Sequence, residues 1–306
     1  MTVLEVIQRS ADFLGKKSVD SPRLQAELLL AHVLRIPRMQ LYLNFERVLS
    51  PAEEDMLRQL VKRRGAREPL QLIVGSTSFC GLEIAVNRHV LIPRPETELL
   101  AEQGWLFLNE RSTDDAEGTN PPSGAAERDQ EHGRRKCSAL DFGTGSGCLA
   151  IALAIKCPLR RILALDLVPE ALELARNNAV RQEVADRIDF LLGNGLESLP
   201  RGVRFDLILA NPPYIPSVDI DGLQPEVRDH DPRVALDGGP DGLHFYRHLS
   251  SGAGEFLKSD GRIMLELGDG QEKDVADLFG KENWVVESML KDYTQCPRIL
   301  IARKTV

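Results

Sequence analysis

The sequence predicts an α/β protein in which a small helical bundle precedes a mainly parallel, seven-stranded sheet covered by helices. Three observations carry this expectation. Apolar residues recur at helical spacing through the first 70 or so positions. After Ser138, short apolar runs alternate with helical stretches, the pattern of βαβ units around a buried parallel sheet. The first of those runs empties into a glycine-rich turn that opens a helix.

In chain order, Ser21-Pro22 reads as a helix N-cap followed by proline at the first helical position, with Leu24, Leu28, Ala31 and Leu34 along one face. Ser50-Pro51-Ala52-Glu53 has the form of a capping box. Met56, Leu57, Leu60 and Val61 continue that helix, and Gly65 is placed to stop it. Residues 1–70 are therefore expected to form a helical domain. Between Gln71 and Val90, short β-branched and aromatic runs broken by Gly75 and Gly81 predict a hairpin, so 71–92 is read as the linker to a second domain over 93–306. Within 110–136 the only hydrophobic residues are Ala116, Ala125 and Ala126, and a flexible surface insertion is expected there. The strand candidates are 138–142, 161–167, 188–192, 205–210 and 262–267, with 284–289 and 298–302 as a final pair. Residues 149–156 and 169–181 are intervening helices.

A hydrophobic fraction of 42% with 27% charged residues is that of a soluble globular protein, and no run approaches the roughly 20 apolar residues of a membrane span. Met1 to Leu14 includes Glu5 and Asp12 and lacks the basic start and cleavage site of a signal peptide, so a cytoplasmic location is expected. The five cysteines form no CxxC pair and are expected to be reduced. A net charge of -8 argues against sequence-independent binding to nucleic acid, which depends on neutralising phosphates. The charge is uneven: residues 1–80 carry 12 Lys plus Arg against 9 Asp plus Glu, a net of +3, which leaves -11 for the remainder.

The first strand of the sheet ends in Asp141-Phe142-Gly143-Thr144-Gly145-Ser146-Gly147 and enters a helix. Glycines allow a tight turn and close approach of a ligand to the backbone, and the helix start offers free N–H groups. Alone, the turn would suit a dinucleotide as well as any other nucleoside. Asp166 ends the second strand, where a carboxylate can accept both hydroxyls of a ribose, or simply cap the helix that begins at Pro169. The GxGxG spacing differs from the GxGxxG that pyrophosphate prefers. The third strand ends in Gly193-Asn194-Gly195-Leu196, where Asn194 can bond a purine edge or merely form a turn.

At the carboxyl end of the fourth strand stands Asn211-Pro212-Pro213-Tyr214. Two prolines forbid further strand pairing and fix the backbone, so the Asn211 side-chain carbonyl and the Pro212 backbone carbonyl can face one cleft. A planar NH2 group has two donors, which two fixed acceptors match. Tyr214 is expected to wall the planar group by stacking. His244 and His248, four apart, lack an evident third metal ligand and are read as a surface helix face, and no metal is expected. Asp219, Asp221, Asp229 and Asp231 lack calcium-loop spacing.

With these motifs in order, the chain resembles the HemK/PrmC family of protein glutamine methyltransferases. Pro93-Arg94-Pro95-Glu96-Thr97-Glu98 is similar to that family's PRPETE segment. So are GTGSG at Gly143 to Gly147, NPPY, and downstream Pro225-Glu226-Val227, the stretch Ala235 to Leu243, and Tyr246-Arg247. The resemblance implies a Rossmann-like class I methyltransferase fold and S-adenosyl-L-methionine as cofactor. It implies as product the N5-methylated glutamine of the GGQ tripeptide in class I peptide chain release factors, docked with help from the helical domain. A monomer is expected. Carried over residue by residue, it assigns cofactor contacts to Gly143, Thr144, Gly145, Ser146, Gly147, Asp166 and Asn211, beside Asn194 and Gly195. Asn211, Pro212, Pro213 and Tyr214 become the substrate residues. Some members carry an aromatic residue where Gly195 stands here. Alternatives with the same nitrogen chemistry are a ribosomal-protein glutamine, the N6 of adenine in DNA and the N2 of guanine in RNA. A binding protein that keeps the fold without catalysis is disfavoured by the intact acceptors and glycine loop.

Overall fold

The computed structural model describes residues 1–117 and 138–305, which divide into two compact units. The first comprises Met1–Ser76 with Val86–Arg88 and Gly222–Asp231. Its helices are α1 (Val3–Lys16), α2 (Pro22–Leu34), α3 (Arg38–Leu41), α4 (Pro51–Gly65) and α5 (Leu70–Val74). Capping boxes start α1 at Thr2/Glu5 and α4 at Ser50/Glu53, each satisfying two otherwise unpaired backbone donors. Ser21, by contrast, has φ 46° and makes no side-chain cap, because its left-handed backbone turns the hydroxyl from the helix start. The buried face of α2 runs through Ala26, Leu29 and Leu30, and Leu24 is exposed. Of the four residues expected along one face, Leu24, Leu28, Ala31 and Leu34, Ala31 alone is buried, so the buried face is rotated from the expected one. Helix α5 also takes up residues read as hairpin. Pro69 leads into it and Gly75, at φ 83°, stops it with its N–H on the Gln71 carbonyl.

A hairpin of β1 (Ser76–Phe79) and β2 (Leu82–Ala85) follows, turning at Cys80 and Gly81, both with positive φ. The second unit continues with α6 (Pro95–Glu117), β3 (Ala139–Phe142), α7 (Cys148–Lys156), β4 (Ile162–Asp166), α8 (Pro169–Arg181), β5 (Ile188–Leu192) and β6 (Phe205–Ala210). After α9 (Pro225–Arg228), which belongs to the first unit, come α10 (His244–Gly252), β7 (Leu257–Glu266), α11 (Glu272–Lys281), β8 (Trp284–Lys291) and β9 (Pro297–Lys304). The insertion expected over 110–136 is thus corrected at its start. Residues 110–117 extend α6, with Arg111 donating to the Asp260 carbonyl at 3.0 Å, and the rest of that expectation lies outside the described residues.

The seven-stranded sheet has the order β5-β4-β3-β6-β7-β9-β8. Strands β3 to β7 pair in parallel, and β9 runs antiparallel to both β7 and β8. Every residue of β3 and β6 is buried, which is why both read as apolar runs broken only by one buried aspartate each, Asp141 and Asp206. One core cluster on the sheet includes α6 and α7 side chains, and another includes those of α10 and α11. The chain order reverses direction between β3 and β6, and in open α/β sheets ligands bind beyond the strand carboxyl ends at such a point. The described cysteines, Cys80, Cys148, Cys157 and Cys296, are free thiols. No described helix is long and apolar enough to cross a membrane.

Within the first unit, Glu226 accepts from Arg67 Nε and Nη2 at 2.6 Å each and from Arg64 Nη2 at 2.7 Å. Arg67 also donates to the Ser18 carbonyl at 3.0 Å. Burial alone would raise the carboxyl, but the bonds from Arg67 and Arg64 outweigh it and hold it at about 2. A depressed carboxyl stabilises the fold above its ordinary value, here 4.5, and the contribution is lost as pH falls toward 2. Glu226→Gln is therefore expected to cost about 1–3 kcal/mol at neutral pH, with the difference from wild type shrinking across that acid range. Urea denaturation of both proteins at several pH values checks this, and a difference that does not change with pH would rule it out.

Candidate functional site

The loop after β3 is shaped from beneath by Asp141. One of its oxygens accepts from Thr144 Oγ1 at 2.6 Å and from the Ala150 N–H at 3.1 Å, tying the strand end to the start of α7 across the glycines. Burial pushes this carboxyl up to about 6, and its other oxygen is buried with no partner, as is Ser146 Oγ. The N–H groups of Gly143 and Thr144 both donate to the Leu165 carbonyl at 2.9 Å. Two glycines have structural reasons to be glycine. Gly145 has φ 55° and nothing within 4 Å of where a Cβ would stand, so its face is open. Gly147 has φ 82°, and a Cβ there would meet the Ala175 Cβ at 3.0 Å, so α8 can approach only a bare backbone.

Asp166 ends β4 with both oxygens turned onto backbone: the Gly145 N–H at 2.8 Å and the Val168 N–H at 2.9 Å. It therefore links the glycine loop to the residue before α8. Each oxygen accepts one bond here and retains a lone pair. Burial raises this carboxyl above its ordinary value despite the Val168 and Gly145 bonds.

Beyond the strand ends lies a cavity of about 590 Å³ lined by Gly143 to Ser146, Asp166, Gly193 to Gly195, and Asn211 to Pro213, among others. The structure thus gathers the glycine loop, the second-strand acid, the third-strand turn and most of the tetrapeptide around one space. Gly147 and Tyr214 do not line it. The Tyr214 ring packs instead against the core cluster on the α10 side of the sheet, and burial pushes its hydroxyl up to about 12. The stacking expected of Tyr214 is not what this geometry provides. After Pro213 the chain turns to run beside Asp237, with the Ile215 N–H on the Leu236 carbonyl at 3.0 Å and the Gly238 N–H on the Ile215 carbonyl at 2.8 Å. Gln271 clamps this arrangement, donating to the Tyr214 carbonyl at 2.9 Å while its Oε1 accepts from the Gly268 N–H at 3.1 Å.

Asn211 follows β6 directly. Its Nδ2 donates to Thr97 Oγ1 at 3.1 Å, and Thr97 Oγ1 donates to Glu266 Oε2 at 2.6 Å. Thr97 and Glu266 are both buried. Among the described residues, neither Asn211 Oδ1 nor the Pro212 carbonyl accepts a hydrogen bond. Two rigid acceptors beside the cavity are therefore available to a ligand with two N–H donors.

Thr97, Glu266 and Gln271 carry no role in the sequence reading. A signal for two of them was present: Thr97 lies within PRPETE, and Glu266 is a lone acid closing an apolar strand. His244 and His248 lie on α10, His244 exposed as a surface helix face requires, and both also line the cavity. The Leu196 N–H lies 3.5 Å from His248 Nε2. Among the described residues no group of three or more His, Cys, Asp or Glu is arranged to hold a metal ion.

Residues 5–75 match the PrmC N-terminal domain family, and residues 129–222 match the methyltransferase small domain family. The chain is 40% identical over 280 residues to a release factor glutamine methyltransferase of Geobacter sulfurreducens, covering 92% of this chain and 89% of that one. It is 37% identical over 300 residues to the protein of the same name in Chlorobaculum tepidum, covering 97% and 95%. Among solved structures, the catalytic domain of hMettl16 in complex with an RNA hairpin superposes with a TM-score of 0.50 at 13% identity, covering 83% of this chain and 82% of that one. That likeness is one of fold.

Proposed function

We infer the reaction from one premise: the chain belongs to the release factor glutamine methyltransferase family. It transfers a methyl group from S-adenosyl-L-methionine to N5 of the glutamine in the GGQ tripeptide of class I peptide chain release factors. The observation that carries this reading is the orientation of Asn211, whose NH2 is spent on Thr97 so that its carbonyl is left, with that of Pro212, for a substrate amide.

The residues present fit the cofactor. An open Gly145 face, the spare lone pairs of Asp166 and a cavity of about 590 Å³ suit an elongated nucleoside with a polar tail. Gly143 to Ser146 and Asp166 would hold it, with Asn194 and Gly195 toward its base; Gly147, expected among the cofactor contacts, serves the packing of α8 instead. When bound, S-adenosyl-L-methionine supplies an electrophilic methyl group. The chain's own part is to align the substrate nitrogen and to polarise it. An amide nitrogen shares its lone pair with its carbonyl, and two acceptors on its N–H groups favour the charge distribution in which that pair can react. Alignment alone is worth on the order of 7–11 kcal/mol in well-oriented systems. No strong base is required, because the proton can depart to water as the nitrogen acquires its methyl. Docking of the release factor is assigned to the helical domain of residues 1–70, and the enzyme is read as a cytoplasmic monomer serving translation termination.

Methyl-labelled cofactor mixed with enzyme and a class I release factor should label the intact factor and spare one whose GGQ glutamine is alanine. Equal labelling of both would reject the substrate.

A further inference from the structure

The direction of each hydrogen bond at Asn211 is set by groups on two other elements. A threonine hydroxyl has one proton. A carboxylate can only accept, so an ionised Glu266 obliges Thr97 to spend that proton on Oε2, at 2.6 Å. Thr97 then has only lone pairs for Asn211, whose amide must present Nδ2 to it, at 3.1 Å, and turn Oδ1 away. A protonated Glu266 removes the constraint. It can donate to Thr97, whose own proton is then free for Asn211 Oδ1, and the amide can turn over and close the acceptor. We propose that Thr97 and Glu266 are positioning residues for the methyl transfer, the charge on Glu266 being relayed through the Thr97 hydroxyl to keep Asn211 Oδ1 facing the substrate nitrogen. This rests on the reaction assigned above.

Placement and burial support the relay. Thr97 lies in the first turn of α6, Glu266 ends β7, and Asn211 follows β6, which pairs with β7 up to Ala210 and Leu265. Glu266 is 2% exposed, and water has little access to substitute for either bond. Its ionisable surroundings are mixed. Arg298 on β9 and Arg94 ahead of α6 favour the charge, Glu96 opposes it, and Tyr214 and Tyr246 face the same group. Burial outweighs the Thr97 bond and the arginines and pushes Glu266 up to about 7. The ionised, acceptor-exposing state therefore fills as pH rises through that value.

Turnover of wild type, Thr97→Val, Thr97→Ser and Glu266→Gln would be followed from pH 6 to 9 with a release factor as substrate. Calorimetric affinity for S-adenosyl-L-methionine and thermal melting would be measured alongside. Wild type should show a kcat that climbs through about pH 7. Thr97→Val should lose about 10²-fold in kcat with KM and cofactor affinity little altered. Thr97→Ser should return to within about threefold of wild type, because it keeps the hydroxyl. Glu266→Gln should lose about tenfold at pH 8 and the rising limb as well, since a neutral amide no longer dictates the direction of the Thr97 proton. An unchanged kcat in Thr97→Val, or a rising limb that persists in Glu266→Gln, overturns the relay. Should Thr97→Val fail to fold, the pH profiles of Glu266→Gln and Thr97→Ser decide alone. Wild type that fails to label the release factor counts against the reaction itself, whereas labelling by wild type with indifferent variants counts against the relay only.

Discussion

Replacing Asn211 by alanine is expected to lower turnover about 10³-fold while cofactor affinity stays within about threefold of wild type. The asymmetry comes from what the side chain touches. Its NH2 is bonded to Thr97 and its carbonyl has no partner within the described protein, so alanine removes an acceptor that only the substrate uses. The Pro212 carbonyl survives, and one of the two N–H groups of the substrate amide remains held. Alignment about that single bond is then free to rotate, which is where most of the loss arises. Asn211→Asp should fare little better despite its oxygen. A carboxylate has no proton for Thr97 Oγ1, whose own proton is committed to Glu266, so the variant places a second acid 3.1 Å from an oxygen with nothing to donate. Single-turnover kinetics beside calorimetric binding of the cofactor separate the two effects. Alanine turnover above a tenth of wild type would show that the acceptor is not needed.

The sheet and the two halves of the cavity were legible for the same reason: punctuation. Strands buried on both faces read as near-continuous apolar runs, and glycines or paired prolines at their ends mark where the chain must turn sharply or stop pairing. Asp141-to-Gly147 and Asn211-to-Pro213 are therefore readable locally. What holds Asn211 is not, because Thr97 lies 114 residues before it and Glu266 lies 169 residues beyond Thr97. No spacing rule reaches across such intervals; the pairing of β6 with β7 brings Asn211 beside Glu266, and the packing of α6 on both strands adds Thr97. The direction of Tyr214 was lost similarly, since it depends on the later pairing of Ile215 with Asp237. Ser21 and the short helix at Leu70–Val74 failed at a finer scale, where a single backbone dihedral decides between a cap and a bend.

Asp166→Ala should weaken cofactor binding about 10²-fold or more, with a loss in kcat/KM to match at low cofactor concentration. Two losses combine. The acceptor oxygens at the cavity wall vanish, and the N–H groups of Gly145 and Val168 lose the acceptors that fix the glycine loop to the start of α8. The loop then pays its ordering cost when the ligand arrives instead of beforehand. Asn at this position is a sharper probe than it looks. Of its two termini only one accepts, so its NH2 must face either Gly145 or Val168, donor against donor, and the loop is expected to shift. Both variants should bind weakly, Asn by roughly tenfold less than wild type and Ala by more. Because burial raises the Asp166 carboxyl, wild-type affinity should also begin to fall at a higher pH on acidification than an ordinary aspartate would allow. Titration calorimetry at two pH values reads all three. Affinity within threefold of wild type in Asp166→Ala would remove Asp166 from the cofactor site and leave it only the role of tying loop to helix.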